Sequence, residues 1–280
     1  MVFSTTVLEV NVNMKIFGNF KSEVFLGILF CLVSFICGYS QPVEYVEDWA
    51  DKDAPPALIR DPYGKGDYLH AQFIRFIDKN SVRLVLEIGS RDAIDALELS
   101  SYYHCHVFAF ECNPTAISIC AHNRGKNPNV SIIPFAAWSE TTKLTFHPVI
   151  PGGEVFSLGA SSIFPFDPNG PVHSSALQGE IIVDAIRVDE WLDAENLDTP
   201  DLICIDAQGA TLPILEGLKQ RLSQVKYIIA EAEIVPYYIG ESLYPEIVAF
   251  MCQNGFVEVT KINHSNLYAD VLFVRKDLVY

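Results

Sequence analysis

Residues 84–99 read LVLEIGSRDAIDALEL, an apolar run that breaks at Gly89 and passes into a segment with helical spacing. A short run of leucine, valine and isoleucine suits a strand buried on both faces, and a glycine at its end suits a tight turn into a helix. The same unit recurs downstream. His106–Phe110 reads as a second strand followed by a helix over Pro114–His122, and Val130–Pro134 as a third strand. Asp201–Ile205 leads into helical spacing over Leu212–Leu222, and Val225–Ala230 into Tyr244–Gln253. Phe256–Thr260 and Val271–Arg275 are consecutive β runs. This alternation predicts an α/β domain: a Rossmann-like, doubly wound, mostly parallel sheet with a C-terminal antiparallel strand. Upstream, Tyr68–Ile77 has helical spacing through Leu69, Phe73 and Ile77. Thr141–Arg187 departs from the rhythm. It holds Lys143–Phe146, a Gly/Pro/Ser-rich stretch, and an alternating run over Glu180–Val188, and it reads as an inserted β hairpin on a long loop. Loops of that length usually carry function.

The chain has 280 residues, half of them apolar, which is enough for one sizeable core, and no linker or repeat divides it. Its net charge of −16 belongs to the part beyond residue 40, because Lys15 and Lys21 offset Glu9 and Glu23. So acidic a surface repels phosphate backbones and excludes a general nucleic-acid partner. Val24–Cys37 (VFLGILFCLVSFIC) is an unbroken apolar run behind Lys15 and Lys21 and ahead of Gly38-Tyr39-Ser40. It is shorter than the ~20 residues of a relaxed membrane span. A basic flank, a short apolar core and small residues read as a secretory signal peptide or a signal-anchor. Residues 1–40 are therefore expected to be a targeting segment, 41–66 an extended lead-in, and 67–280 the folded domain. Either form of signal makes the domain secreted or lumenal, with membrane attachment through the apolar segment if the signal is retained. Sequons at Asn129 and Asn263 agree with export. Outside the signal, Cys105, Cys112, Cys120, Cys204 and Cys252 are odd in number and lack paired spacing, so neither a disulfide framework nor a metal site is expected.

Open parallel sheets bind ligands beyond the carboxyl ends of their strands, where the strand order reverses. That directs attention to the Gly89 turn. The dinucleotide fingerprint GxGxxG is absent, since Arg91 and Ile94 stand at its later glycine positions, and this disfavours a nicotinamide cofactor. Glu111 ends the second strand at about the spacing of ~20 residues where an acidic side chain accepts hydrogen bonds from ribose hydroxyls. The alternative is a carboxylate that caps the next helix together with Asn113. Ala136-Ala137-Trp138-Ser139 follows the third strand and offers a wall and a polar edge for an adenine ring. Asp206, followed by Gln208-Gly209, sits on the same rim and suits a substrate contact, a general base or a metal ligand.

Together these segments resemble the FkbM family of methyltransferases, from about Leu84 to Phe256. The likeness is carried by Leu86-Glu87-Ile88-Gly89-Ser90, by Ala109-Phe110-Glu111-Cys112-Asn113-Pro114, and by Val188-Asp189-Glu190-Trp191-Leu192. Its most specific part is Asp206-Ala207-Gln208-Gly209-Ala210-Thr211 with Leu215-Glu216-Gly217 downstream. Ser161-Ser162, Glu231, Tyr238, Gly240 and Gly255-Phe256 add to it. The resemblance implies S-adenosylmethionine as cofactor and methyl transfer to a hydroxyl of a sugar, glycan or small natural product. It implies cofactor contacts from Glu87, Gly89, Ser90, Glu111, Cys112, Ala137 and Asp206. Asp206 is the first candidate for the catalytic base, ahead of His147 and His173. Two departures stand out: Ala93 near the usual second glycine, and Thr211 where the family generally has glutamate. With the export signal they leave a second reading, a catalytically inactive secreted or lumenal binding protein that retains the fold.

Overall fold

The computed structural model describes residues 58–60, 66–154, 156–171 and 175–279. The predicted targeting segment, most of the lead-in, and His173 lie outside them. In chain order the elements are α1 (Ala71–Ile74), β1 (Leu84–Ile88), α2 (Ile94–Tyr103), β2 (His106–Phe110), α3 (Pro114–Arg124) and β3 (Val130–Ile133). An inserted region follows with β4 (Ala136–Trp138), β5 (Thr142–Phe146), β6 (Val149–Ile150), β7 (Leu177–Gln178) and β8 (Ile181–Arg187). The chain closes through α4 (Val188–Ala194), β9 (Leu202–Ile205), α5 (Thr211–Gly217), β10 (Tyr227–Glu233), α6 (Tyr244–Gln253), β11 (Phe256–His264) and β12 (Tyr268–Arg275).

The main sheet has the order β11-β12-β10-β9-β1-β2-β3. β3, β2, β1, β9 and β10 are mutually parallel, and β12 runs antiparallel between β10 and β11. Each central strand is apolar on both faces because both faces are covered. Leu86, Ile88, Phe110, Ile203 and Ile205 pack with Trp191, Ile214 and Met251 on one side. Val85, Val107, Cys204 and Ile229 pack with Phe73, Leu99 and Cys120 on the other. The predicted doubly wound sheet is the one observed. From β1 the chain builds outward to β2 and β3, then returns to lay β9 and β10 on the other side. This reversal opens a crevice at the carboxyl ends of β1 and β9.

Three details differ from expectation. The insertion is more than a hairpin: β5 pairs antiparallel with β8 as predicted, but Ala136–Trp138 adds a third strand parallel to β8. The helix expected over Tyr68–Ile77 is a single turn, Ala71–Ile74, and the segment is also tied to the sheet edge. Gln72 Nε2 donates to Thr260 Oγ1 and to the Lys261 carbonyl, both at 2.7 Å. The helix expected to reach Leu222 ends at Gly217, and Lys219 then takes a left-handed backbone (φ +48°). The five cysteines beyond the targeting segment are free thiols. No helix among the described residues is long and apolar enough to cross a membrane.

Candidate active site

Gly89 and Asp206 follow β1 and β9 directly, and their backbones pack against each other at the crevice. The Asp206 amide donates to the Ile88 carbonyl at 2.9 Å. Gly89 has φ +87°, and a Cβ there would lie 2.7 Å from the Asp206 carbonyl carbon and nearer still to its oxygen. The glycine is therefore required by the neighbouring strand's turn, whatever binds above it. At the second glycine position of the absent fingerprint, Arg91 itself adopts φ +53°, so the left-handed bend survives without glycine. Its amide donates to Glu111 Oε2 at 2.8 Å and ties the turn after β1 to the end of β2.

These turns open onto a partly enclosed cleft lined by residues from both of them. Ile88, Phe110, Ala137 and Ile214 give it an apolar floor, while Glu111 and Asp206 bring carboxylates. Of the residues predicted to hold a cofactor, Gly89, Glu111, Cys112, Ala137 and Asp206 all line it. Glu87 and Ser90 do not. They are buried beneath the turn, where Ser90 Oγ donates to Glu87 Oε2 at 2.5 Å. Burial, reinforced by Asp95, pushes the Glu87 carboxyl well above the usual carboxylate range.

Glu111 is rigidly placed. Its Oε1 accepts from the Asn113 amide at 2.7 Å, and the Arg91 bond holds the other oxygen. Burial raises its pKa, and the amides of Asn113, Arg91 and Cys112 oppose that shift. The capping role falls to Asn113, whose Oδ1 accepts from the Thr115 amide at 3.1 Å at the start of α3. An anchored carboxylate that accepts one bond per oxygen from Arg91 and Asn113 keeps lone pairs for a ligand.

Asp206 sits in a hydrogen-bonded set that no spacing rule would have found. Gln208 Nε2 donates to Asp206 Oδ1 at 2.6 Å and to Glu231 Oε1 at 2.8 Å. Gln208 Oε1 accepts from the Tyr238 hydroxyl at 2.9 Å. Gln208, like Arg91, has a left-handed backbone (φ +48°). The insertion closes over this turn: Ser162 Oγ donates to the Gln208 carbonyl at 2.6 Å, and Tyr238 OH reaches the Ala160 carbonyl at 3.0 Å. Ser161 and Ser162 also line the cleft. Burial raises the pKa of Asp206, with Asp270 adding to it and Arg91, Gln208 and Glu231 opposing it. Burial, then Asp206, holds Glu231 well above the ordinary range.

The remaining candidates fall elsewhere. Trp138 packs near Phe164, with ring centroids 6.0 Å apart, and the wall of the cleft comes from Ala136 and Ala137 instead. His147 is buried and contributes its backbone to a bridge with Ser162, and it does not line the cleft. Thr211, in the place of the family's glutamate, starts α5 and donates to the Glu231 carbonyl at 2.8 Å.

The chain is similar to known methyltransferases. Residues 87–258 match the model of the methyltransferase FkbM domain. The 2-O-methyltransferase NoeI of Sinorhizobium fredii is 27% identical over 176 residues, covering 62% of this chain and 72% of that protein. The hexuronic acid methyltransferase AglP of Haloferax volcanii is 24% identical over 198 residues, covering 66% and 73%. Among solved structures, a precorrin-6y C5,15-methyltransferase of Geobacter metallireducens is similar with a TM-score of 0.42 at 17% identity, covering 79% of this chain and 98% of that one. The family match spans the crevice, both carboxylate-bearing turns and the insertion, and so the chain belongs to the FkbM methyltransferase family, with S-adenosylmethionine as its methyl donor.

Proposed function

We propose that the chain transfers the methyl group to a hydroxyl of a sugar or glycan, with Asp206 as the base. The observation that carries this reading is that Glu111 and Asp206 face one cleft from opposite sides of the strand-order reversal. The two named relatives, a 2-O-methyltransferase and a hexuronic acid methyltransferase, support a hydroxyl on a sugar as acceptor.

The chemistry of the cleft lining suits the donor. Glu111, fixed by backbone amides, is the partner for the ribose hydroxyls, and Phe110, Ala136 and Ala137 supply the apolar surface for the base. Gly89 and Cys112 border the same space. When bound, S-adenosylmethionine supplies an electrophilic methyl group on a positively charged sulfur. The chain's contribution is placement and proton removal. Holding the acceptor oxygen in line with the methyl carbon supplies most of the acceleration. Asp206 would take up the proton of the acceptor hydroxyl as its oxygen receives the methyl group.

The export reading of residues 1–40 extends the proposal: the reaction belongs to the secretory pathway, on a secreted or lumenal acceptor. Asn129 and Asn263 are both exposed, which supports that reading. The test is calorimetric titration of the full chain with S-adenosylmethionine and, separately, NAD, followed by mass spectrometry of a saccharide panel. Binding of the methyl donor alone with a methylated saccharide is expected. A folded chain that binds neither would instead be an inactive scaffold.

A further inference from the structure

The base assigned to Asp206 poses a physical difficulty. A carboxylate at a buried site favours its neutral form, and a protonated Asp206 cannot take the proton of a hydroxyl. Its surroundings make matters worse. The β9–β10 register pairs Ile205 with Ala230, which sets Asp206 beside Glu231 on one face, and Glu231 is in turn opposite Asp270 of β12. The other titratable and charged groups close enough to act electrostatically on Asp206 are Arg91 from the turn after β1, Glu233 of β10, His264 of β11, and the hydroxyls of Tyr68, Tyr238 and Tyr268. Of these, His264 is already engaged by Asp270, with Nε2 and Oδ2 2.8 Å apart.

The hydrogen-bond count resolves the difficulty. The Gln208 amide offers two hydrogens, and Nε2 lies 2.6 Å from Asp206 Oδ1 and 2.8 Å from Glu231 Oε1. Turning the amide over would put its oxygen against both carboxyls and require a proton on each, leaving no base. With the nitrogen inward, the amide is satisfied by one ionised carboxyl and one neutral one. Because one Gln208 nitrogen reaches both carboxyls, their oxygens are close neighbours, and one proton shared between them removes the like-charge repulsion.

We infer that Glu231 is a positioning residue for methyl transfer: its neutral carboxyl donates to Asp206 and, with the Gln208 amide, holds Asp206 as the ionised base. The inference rests on the reading of Asp206 as base. Glu231 keeps the proton because a second negative charge beside Asp206, Glu233 and Asp270 is costlier than one. Crowding by acidic groups thus becomes useful. The carboxyl that retains its proton supplies the donor that its neighbour needs to lose one.

The test follows Asp206 directly in the full chain labelled with ¹³C at the aspartate side-chain carboxyl. The resonance missing in D206N identifies it, and its shift is titrated with pH. E231L removes the donor, and the Asp206 midpoint should rise by about one pH unit, a tenfold change in its proton affinity. E231Q restores a donor of nearly the same shape, and the midpoint should return to within a few tenths of the wild-type value. Binding of S-adenosylhomocysteine, measured by calorimetry on each variant, reports an intact cleft. Should E231L fail to bind it, Q208L reads the same upward shift by removing the other donor. A wild-type midpoint in E231L with binding intact overturns the inference. So does an E231Q midpoint as displaced as that of E231L. Should D206N still methylate a saccharide, the proposed base itself falls, and that outcome is separate from either.

Discussion

Replacing Gly89 with alanine would place a Cβ 2.7 Å from the carbonyl carbon of Asp206, where carbon atoms normally rest about 3.5–4.0 Å apart. Relief requires the turn after β9 to retreat by about 1 Å. The left-handed backbone at φ +87° costs alanine about a further 1–2 kcal/mol. Together with an overpacking cost of about 1–3 kcal/mol, this lowers the thermal midpoint by roughly 5–15 °C for a domain of this size. Because the retreating turn carries Asp206, the affinity for S-adenosylhomocysteine should fall at least about tenfold, or ~1.4 kcal/mol. Gly217→Ala is the control. Its Cβ would lie 3.0 Å from the Trp138 carbonyl carbon and closer to the oxygen, a comparable clash on α5. That variant should lose stability but keep its ligand affinity. Calorimetric titration beside thermal unfolding of both proteins makes the measurement. A G89A protein that binds with wild-type affinity would refute the claim that this glycine sets the position of the Asp206 turn.

Three further outcomes are expected. Glu111→Ala should weaken S-adenosylhomocysteine binding by about a hundredfold, the loss of two hydrogen bonds to a charged group, while leaving the fold intact by circular dichroism. Glu233 is buried beside Glu241, and burial first, then that neighbour, pushes its pKa up to about 8. The folded chain therefore holds a proton that the unfolded chain releases above its ordinary value of ~4.3, so Glu233 makes stability fall as pH rises from there through about 8. Glu233→Gln should flatten that slope in urea unfolding at pH 5, 7 and 9, and an unchanged slope would count against the assignment. Expressed with its first 40 residues in a cell with a secretory pathway, the chain should enter it and shift in mass on glycosidase treatment at Asn129 or Asn263, and a purely cytosolic, unshifted product would reject export.

The fold was legible where burial on both faces leaves no choice of residue. Leu84–Ile88 and His106–Phe110 are strands over the predicted bounds, because a strand covered on each side is apolar at most positions. The rim was legible too: Glu111 and Asp206 each stand where an apolar strand meets the crevice. Legibility failed where tertiary contacts overrule local pattern. Ala136–Trp138 is too short to announce itself as a strand and exists through its pairing with β8. Glu87, an acidic residue one step before the turn, belongs to a strand whose side chains alternate, and it points beneath the turn while Ile88 faces the cleft. The set formed by Gln208, Glu231 and Tyr238 draws on residues far apart in the chain. Only the family likeness hinted at its members, and nothing in their spacing stated their roles.

Seven residues other than glycine adopt positive φ among those described, and three of them, Arg91, Ala93 and Gln208, stand in the two turns that meet at the crevice. Each left-handed residue stores on the order of 1 kcal/mol that a glycine would release. The free chain therefore carries a few kcal/mol of tension in the turns that border its site, sustained by the packed sheet below. A glycine at position 93, near where the family usually carries one, would release its share of that tension and raise the thermal resistance of the fold. Selection for robustness alone should therefore reach position 93 early.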